Sequence, residues 1–231
     1  MIHPNTELRF VSPEIGYGIF ATARIPKGTI VYVKDQLEIE LTPRQYTRLD
    51  VAHRRLADKF SYIDQRGVRI ISWDHAKYVN HNCDCNTMST GYGFEIALRD
   101  IEAGDEVTDE YGLFNIPVEL QISCGCFNCR QVLRPDDIDN YHQIWDTMIV
   151  SALQEAQEVH QPLWELLDAA TRDGVLDYLA GREDYRSVLT LKGKTPGKVR
   201  RFPAKRSSTA TSNSSGELML QTLRAAGDSA G

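Results

Sequence analysis

Between Asn80 and Cys129 the chain concentrates most of the side chains that could do chemistry. All five of its cysteines lie there in two clusters, Cys83 with Cys85, and Cys124 with Cys126 and Cys129. An odd number of clustered thiols does not suit a disulfide framework, which is usually even and spread through a short secreted chain. It suits a bound metal. The first cluster sits in Asn80-His81-Asn82-Cys83-Asp84-Cys85-Asn86, a polar and thiol run directly after apolar Tyr78-Val79. A second segment, Gly104-Asp105-Glu106-Val107-Thr108-Asp109-Glu110-Tyr111-Gly112, sets an aromatic hydroxyl ahead of a glycine. A third, Gly16-Tyr17-Gly18, has glycines where a turn or a close backbone approach is needed.

Short strands and turns must position these segments. Leu8–Val11, Ile19–Ile25 and Thr29–Val33 carry β-branched and aromatic residues bounded by Pro13, Gly16-Tyr17-Gly18 and Pro26-Lys27-Gly28, which are strand and turn signals. Thr42-Pro43 predicts a helix start. Tyr46, Leu49, Ala52 and Leu56 continue that helix on one face to about Lys59. Further strands are expected at Phe60–Ile63, Val68–Trp73, Phe94–Arg99 and Glu106–Tyr111.

From Asp136 onward the apolar period becomes helical. Tyr141, Ile144, Trp145, Met148, Ile149, Ala152, Leu153, Ala156 and Val159 predict five turns of helix. A second helix is expected from Pro162 and a shorter one beyond Asp173-Gly174, capped by Gly181. These stripes are read as packing surface. Past Leu191 come Lys192, Lys194, Lys198, Arg200, Arg201, Lys205 and Arg206 without an acid, then a Ser/Thr/Gly-rich stretch, a composition expected to stay disordered.

The chain has 231 residues, 42% hydrophobic and 25% charged, with a net charge of −6. That is ordinary for a soluble globular protein. No apolar run approaches the roughly 20 residues of a membrane span, and no secretory leader is visible. The expected location is the cytoplasm, or a nucleus where the host has one. With the basic run set aside the body is more acidic still, which suits a basic partner. The basic run itself would bind anionic partners only weakly. Oligomeric state has no signal.

Taken in order, the three segments and the trailing cysteines resemble the SET-domain methyltransferases. Those enzymes carry a G-x-G, an N-H-S-C-x-P-N, a G-E-E-L-x-x-x-Y and often a cysteine-rich post-SET element. The resemblance spans about Glu7 to Arg130, and is closest to compact bacterial-type SET proteins. It implies a mainly β fold with some α, β-clip-like and pseudo-knotted, in which the segment after Asn80 crosses near the final tyrosine. The organisation expected is a SET domain with its post-SET zinc segment over 1–130, a helical region over 131–191 and the tail over 192–231.

The resemblance also implies roles. Gly16, Tyr17, Gly18, Asn80, His81 and Tyr111 would line a site for S-adenosylmethionine. Tyr111 would stand where cofactor and target lysine meet, on a protein or peptide with an exposed lysine. Cys83, Cys124, Cys126 and Cys129 would hold one structural zinc ion per chain, with Cys85 as a competing thiol. The sequence departs from the family pattern at Asn82, where serine is usual, and at Cys85, where proline is usual. Asp109 replaces a frequent aromatic at a position linked to the number of methyl groups added. The C-x-C-x-x-C spacing resembles that of the MYND-associated SET enzymes. A different class of protein, a non-catalytic β-clip and zinc module for basic peptides, would need neither Asn80, His81 nor Tyr111.

Overall fold

A computed structural model of the chain describes residues 1–193. The basic run from Lys194 and the Ser/Thr-rich stretch lie outside the described residues. Lys192, read above as part of the tail, belongs to the body: its ammonium pairs with Asp139 at 2.5 Å.

The chain opens with β1 (Thr6–Ser12), β2 (Gly16–Ala21), β3 (Ile30–Val33) and β4 (Ile39–Leu41). Gly16-Tyr17-Gly18 is therefore not a turn between strands but the start of β2, with Gly18 opposite Arg9 in antiparallel register. The strand expected over Ile19–Ile25 ends at Ala21, and Ile25 makes only an isolated bridge to Ile101.

The expected helix from Thr42 divides into α1 (Pro43–Arg48) and α2 (Val51–Phe60). Thr42 and Gln45 form a capping box, as the motif predicts. Asp50 then breaks the run: its carboxylate accepts from the His53 amide at 2.9 Å, while Leu49 is extended. An acid that can cap a new helix competes with continuing the old one. Next come β5 (Ser61–Ile63) and β6 (Arg69–Ile71), which with β4 make a three-stranded antiparallel sheet.

The polar run contributes β7 (Asn80–His81), followed by β8 (Thr87–Ser89), β9 (Phe94–Ala97) and β10 (Glu106–Asp109). One sheet has the order β3-β9-β8 and another β1-β2-β10-β7. The last pairing is parallel, with Thr108 opposite Asn80 and Asp109 opposite His81. It is the crossing that the resemblance implied. Asn86 reinforces it, donating to Glu106 O at 2.8 Å and accepting from the Thr108 amide at 2.9 Å. The extended piece expected to run to Tyr111 ends at Asp109, and Tyr111–Leu113 form a 3-10 turn capped by Glu110.

After β11 (Leu120–Gln121) and β12 (Val132–Leu133), α3 (Asp137–Leu153) and α4 (Ala169–Leu179) complete the described chain. The five turns expected for α3 stop at Leu153, and turns follow. The helix expected from Pro162 is only a 3-10 turn at Trp164–Leu166. Asp173-Gly174 does not interrupt α4. Asp168 caps that helix through the Thr171 amide at 2.9 Å, and Gly174 and Val175 are buried on it.

The helical region packs into the same core as the strands. Ile138, Trp145, Ile149, Ala152 and Leu153 of α3 join Val33, Met88, Phe94 and Ile96 in one buried cluster. Each large apolar side chain so buried contributes about 1.5–3 kcal/mol. A second cluster, with Ile19, Ala21, Val31 and Val107, holds β2 and β10 together.

Candidate functional site

The parallel β7–β10 pairing sets the site. It brings Asn80 and His81 beside Asp109 and directly ahead of Tyr111. The Tyr111 amide donates to His81 Nδ1 at 3.2 Å. The same Nδ1 lies 3.0 Å from Asp109 O, which can only accept, so the two contacts call for opposite tautomers. Nε2 lies 3.3 Å from Cys83 Sγ. Burial, with Arg130 adding, lowers the imidazole to about 4, so the ring is neutral near pH 7. Both nitrogens are used within the protein, which leaves His81 its backbone for any ligand.

The Tyr111 hydroxyl donates to Val79 O at 2.5 Å. Burial raises its pKa well above the usual phenol range, helped by the charges of Asp109 and Glu95. The group is thus a fixed dipole with its proton committed to Val79 and its oxygen lone pairs free to accept. Phe114 lies 5.4 Å from the Tyr111 ring, and Tyr62 lies 5.2 Å from Phe114. These three rings line a cavity of about 470 Å³, together with Val79, Glu95 and Asp109. Aromatic faces and carboxyl groups around a narrow space suit a cationic or amine head.

Asn80 forms a second part of the site. Its Nδ2 donates to Tyr17 O at 3.2 Å and to Glu106 Oε1 at 2.7 Å. Its Oδ1 accepts from no group among the described residues. A Cβ at Gly18 would lie 2.3 Å from Glu106 Oε1 and 2.9 Å from Asn80 Nδ2. Only glycine leaves room for this cradle. The Asn80 amide nitrogen, the Tyr17 carbonyl and the Glu106 carboxylate meet beside Gly18, and the acceptor capacity left on Asn80 Oδ1, Tyr17 O and Glu106 suits an ammonium group, such as the amino-acid end of a cofactor. Glu106 was not singled out by sequence reasoning, although it is the second acid of Gly104-Asp105-Glu106.

The cysteines divide. Cys85 is 1% exposed inside the main core, and burial keeps its thiol protonated. Cys83 faces the other cluster: its amide meets Cys124 Sγ at 3.5 Å, and Arg130 N donates to its sulfur at 3.4 Å. Cys124 Sγ and Cys126 Sγ are 3.3 Å apart, and the Cys129 amide donates to Cys126 O at 3.2 Å. Burial opposes ionisation of Cys124, but the Cys83 and Cys126 amides with the neighbouring thiols outweigh it and bring the group to about 7. Among the described residues, the one tight potential ligand group is His81, Cys83 and Cys124.

Arg130 ties these parts together. Its guanidinium donates to both oxygens of Glu110, at 2.6 and 2.7 Å, and to Asp137 at 3.3 Å. It also lies over the rings of Tyr141 and Trp145, at 5.0 and 5.8 Å. Glu110, 2% exposed, accepts from the Gly112 amide at 2.7 Å and so fixes the turn that holds Tyr111. No spacing signal pointed to Arg130, because its partners lie in segments distant in sequence.

Residues 16–112 match the family model for the SET domain. The histone-lysine N-methyltransferase set9 of Aspergillus terreus is 35% identical over 63 residues, covering 26% of this chain and 10% of that protein. Among solved structures, KRYPTONITE with mCHG DNA and SAH is 20% identical with a TM-score of 0.42, over 57% of this chain and 29% of that one. KRYPTONITE with mCHH DNA, an H3(1-15) peptide and SAH is 19% identical with a TM-score of 0.42, over 57% and 30%. The chain thus spans about a tenth of the curated relative and under a third of the KRYPTONITE chains.

Proposed function

We propose that this chain, which carries a SET domain over residues 16–112, is a protein-lysine N-methyltransferase using S-adenosylmethionine. The observation that carries the reading is Tyr111: its hydroxyl proton is held by Val79 O, and its ring lines the aromatic cavity. When bound, S-adenosylmethionine supplies an electrophilic methyl group on a sulfonium.

The chain's residues would do the rest. Asn80 Oδ1, Tyr17 O and Glu106 would seat the amino-acid end of the cofactor beside Gly18. The Tyr111 oxygen would accept an N–H from the target amine, turning the nitrogen lone pair toward the methyl for in-line attack. A free lysine has a pKa of about 10.4, so only on the order of 1 in 10³ is neutral at pH 7. Burial between Tyr62, Phe114 and Tyr111 would disfavour the ammonium and hold the amine in attack geometry. Tyr111 positions rather than deprotonates, since burial makes its phenol a poor acid and its lone pairs a weak base.

Cys83, Cys124, Cys126 and Cys129 offer the four-sulfur donor set that suits a structural zinc ion. Such an ion would staple the segment around Cys124–Arg130 to β7. The substrate would be a peptide lysine, and the acidic body favours basic sequence around it. Calorimetric titration with S-adenosylmethionine, followed by transfer of labelled methyl to host lysate proteins, tests the reading. Binding with lysine-linked label supports it. Absence of both would leave the non-catalytic peptide module.

A further inference from the structure

The cavity beside Tyr111 holds two carboxyl groups that the steps above leave unused. Asp109 on β10 is 1% exposed and Glu95 on β9 is 9% exposed. The charge of Glu95 acts on Asp109, so the two buried carboxyl groups are electrostatic neighbours. Burial and mutual repulsion disfavour ionising both carboxyl groups, so one negative charge on the pair is favoured over two. Asp109 Oδ1 accepts from the Glu110 amide at 2.7 Å. Asp109 Oδ2 is buried, with no hydrogen-bond partner among the described residues. Both acids line the 470 Å³ cavity. Glu95 also lines a second cavity, of about 560 Å³, which extends to the exposed Gln65 and Arg66. The pair therefore stands in the wall between the aromatic cavity and a route to solvent.

We propose that Asp109 and Glu95 accept the proton of the incoming lysine ammonium and pass it, through Glu95, to solvent on the far side. This rests on the methyltransferase reading. The ammonium N–H bond breaks and an O–H bond forms on the pair, which goes from one proton to two, while the amine keeps the electron pair. That electron pair then forms the N–CH₃ bond as the S–CH₃ bond breaks, giving a methylated ammonium and a neutral thioether. The pair releases its extra proton through the second cavity before the next cycle, one proton per methyl group.

Burial raises Glu95 to about 7 and pushes Asp109 well above the carboxylate range, where the charge of Glu95 adds to the effect. The same burial lowers an ammonium, so donor and acceptor converge. Tyr111 cannot take this part, because its hydroxyl is already a donor to Val79. The other titratable groups around the pair are Tyr32 of β3, Glu38 ahead of β4, Tyr62 of β5, Cys85, Glu110, Tyr111 and the Met1 ammonium.

The test is the pH profile of methyl transfer to a lysine peptide under saturating cofactor. With an internal acceptor, the wild-type rate rises through the neutral range and levels off roughly one unit above it. Without one, it climbs about tenfold per pH unit toward the free amine value of about 10.4. Asp109→Asn keeps an acceptor for the Glu110 amide. It should lower the rate on the order of 10²-fold at pH 7, a gap that closes toward pH 10. Glu95→Gln should show the same restored slope, and both variants should bind S-adenosylmethionine as the wild type does. A wild-type rate that climbs without levelling overturns the proposal, even if neither variant folds. So does a loss of equal size at every pH in the variants. A wild type that transfers no methyl at any pH instead removes the methyltransferase reading.

Discussion

Replacing Arg130 by methionine keeps most of the apolar stem against Tyr141 and Trp145 but deletes the guanidinium. Glu110, 2% exposed, then faces a dry site with the Gly112 amide and no counter-charge. Burial already raises this carboxyl above its usual range in spite of Arg130. Without the arginine the cheaper course is to bind a proton. Holding a carboxyl of ordinary pKa about 4.3 protonated costs about 1.4 kcal/mol per pH unit above that value, hence about 4.4 kcal/mol at pH 7.5 and about 1.6 kcal/mol at pH 5.5. The upper figure agrees with the about 3–5 kcal/mol found when one partner of a buried ion pair is removed. The sign follows from proton counts: the folded variant holds a proton that the unfolded chain has lost, so its stability falls as pH rises. Urea unfolding followed by tryptophan fluorescence, at pH 5.5 and 7.5 with metal content matched, reads both values. The double variant Arg130→Met with Glu110→Gln keeps an oxygen for the Gly112 amide and removes the buried charge. It should recover most of the loss at pH 7.5 and show little pH slope. A loss under about 1 kcal/mol, a loss equal at both pH values, or a double variant no better than the single one would refute the argument.

The remaining expectations concern the site directly. Tyr111→Phe should slow methyl transfer by on the order of 10²-fold, because the amine loses its orienting oxygen, while calorimetry shows unchanged cofactor affinity; near-normal turnover would remove Tyr111 from its role. Gly18→Ala should weaken cofactor binding about tenfold or more, since the new methyl must displace Glu106 and Asn80. Normal affinity in that variant would separate the cradle from the cofactor. Metal analysis should find one zinc per chain, lost in Cys126→Ser and kept in Cys85→Ser. The second of these should still destabilise by about 1–3 kcal/mol, from a hydroxyl placed in an apolar core; zinc loss there would make Cys85 a ligand after all.

What the sequence by itself determined was local or periodic. The Thr42-Pro43 start came from capping chemistry, and the apolar face of α3 from its 3.6-residue period. The order of Gly16-Tyr17-Gly18, Asn80-His81 and Tyr111 matched the family pattern, and the clustered thiols raised the expectation of a metal. The break at Asp50 and the continuity of α4 through Gly174 were decided by competition between local signals and packing. Other features exist only because β7 lies parallel to β10. That pairing occupies both nitrogens of His81, sets Glu106 against Asn80 and Gly18, and leads Tyr111 back to the Val79 carbonyl. Which of two nearby cysteines faces Cys124, which arginine neutralises Glu110, and that Asp109 and Glu95 line one cavity all depend on contacts between segments far apart in the chain. Burial then sets the charge states. A carboxyl, phenol or imidazole in a sequence has its solution pKa, and only the tertiary surroundings say which way it moves.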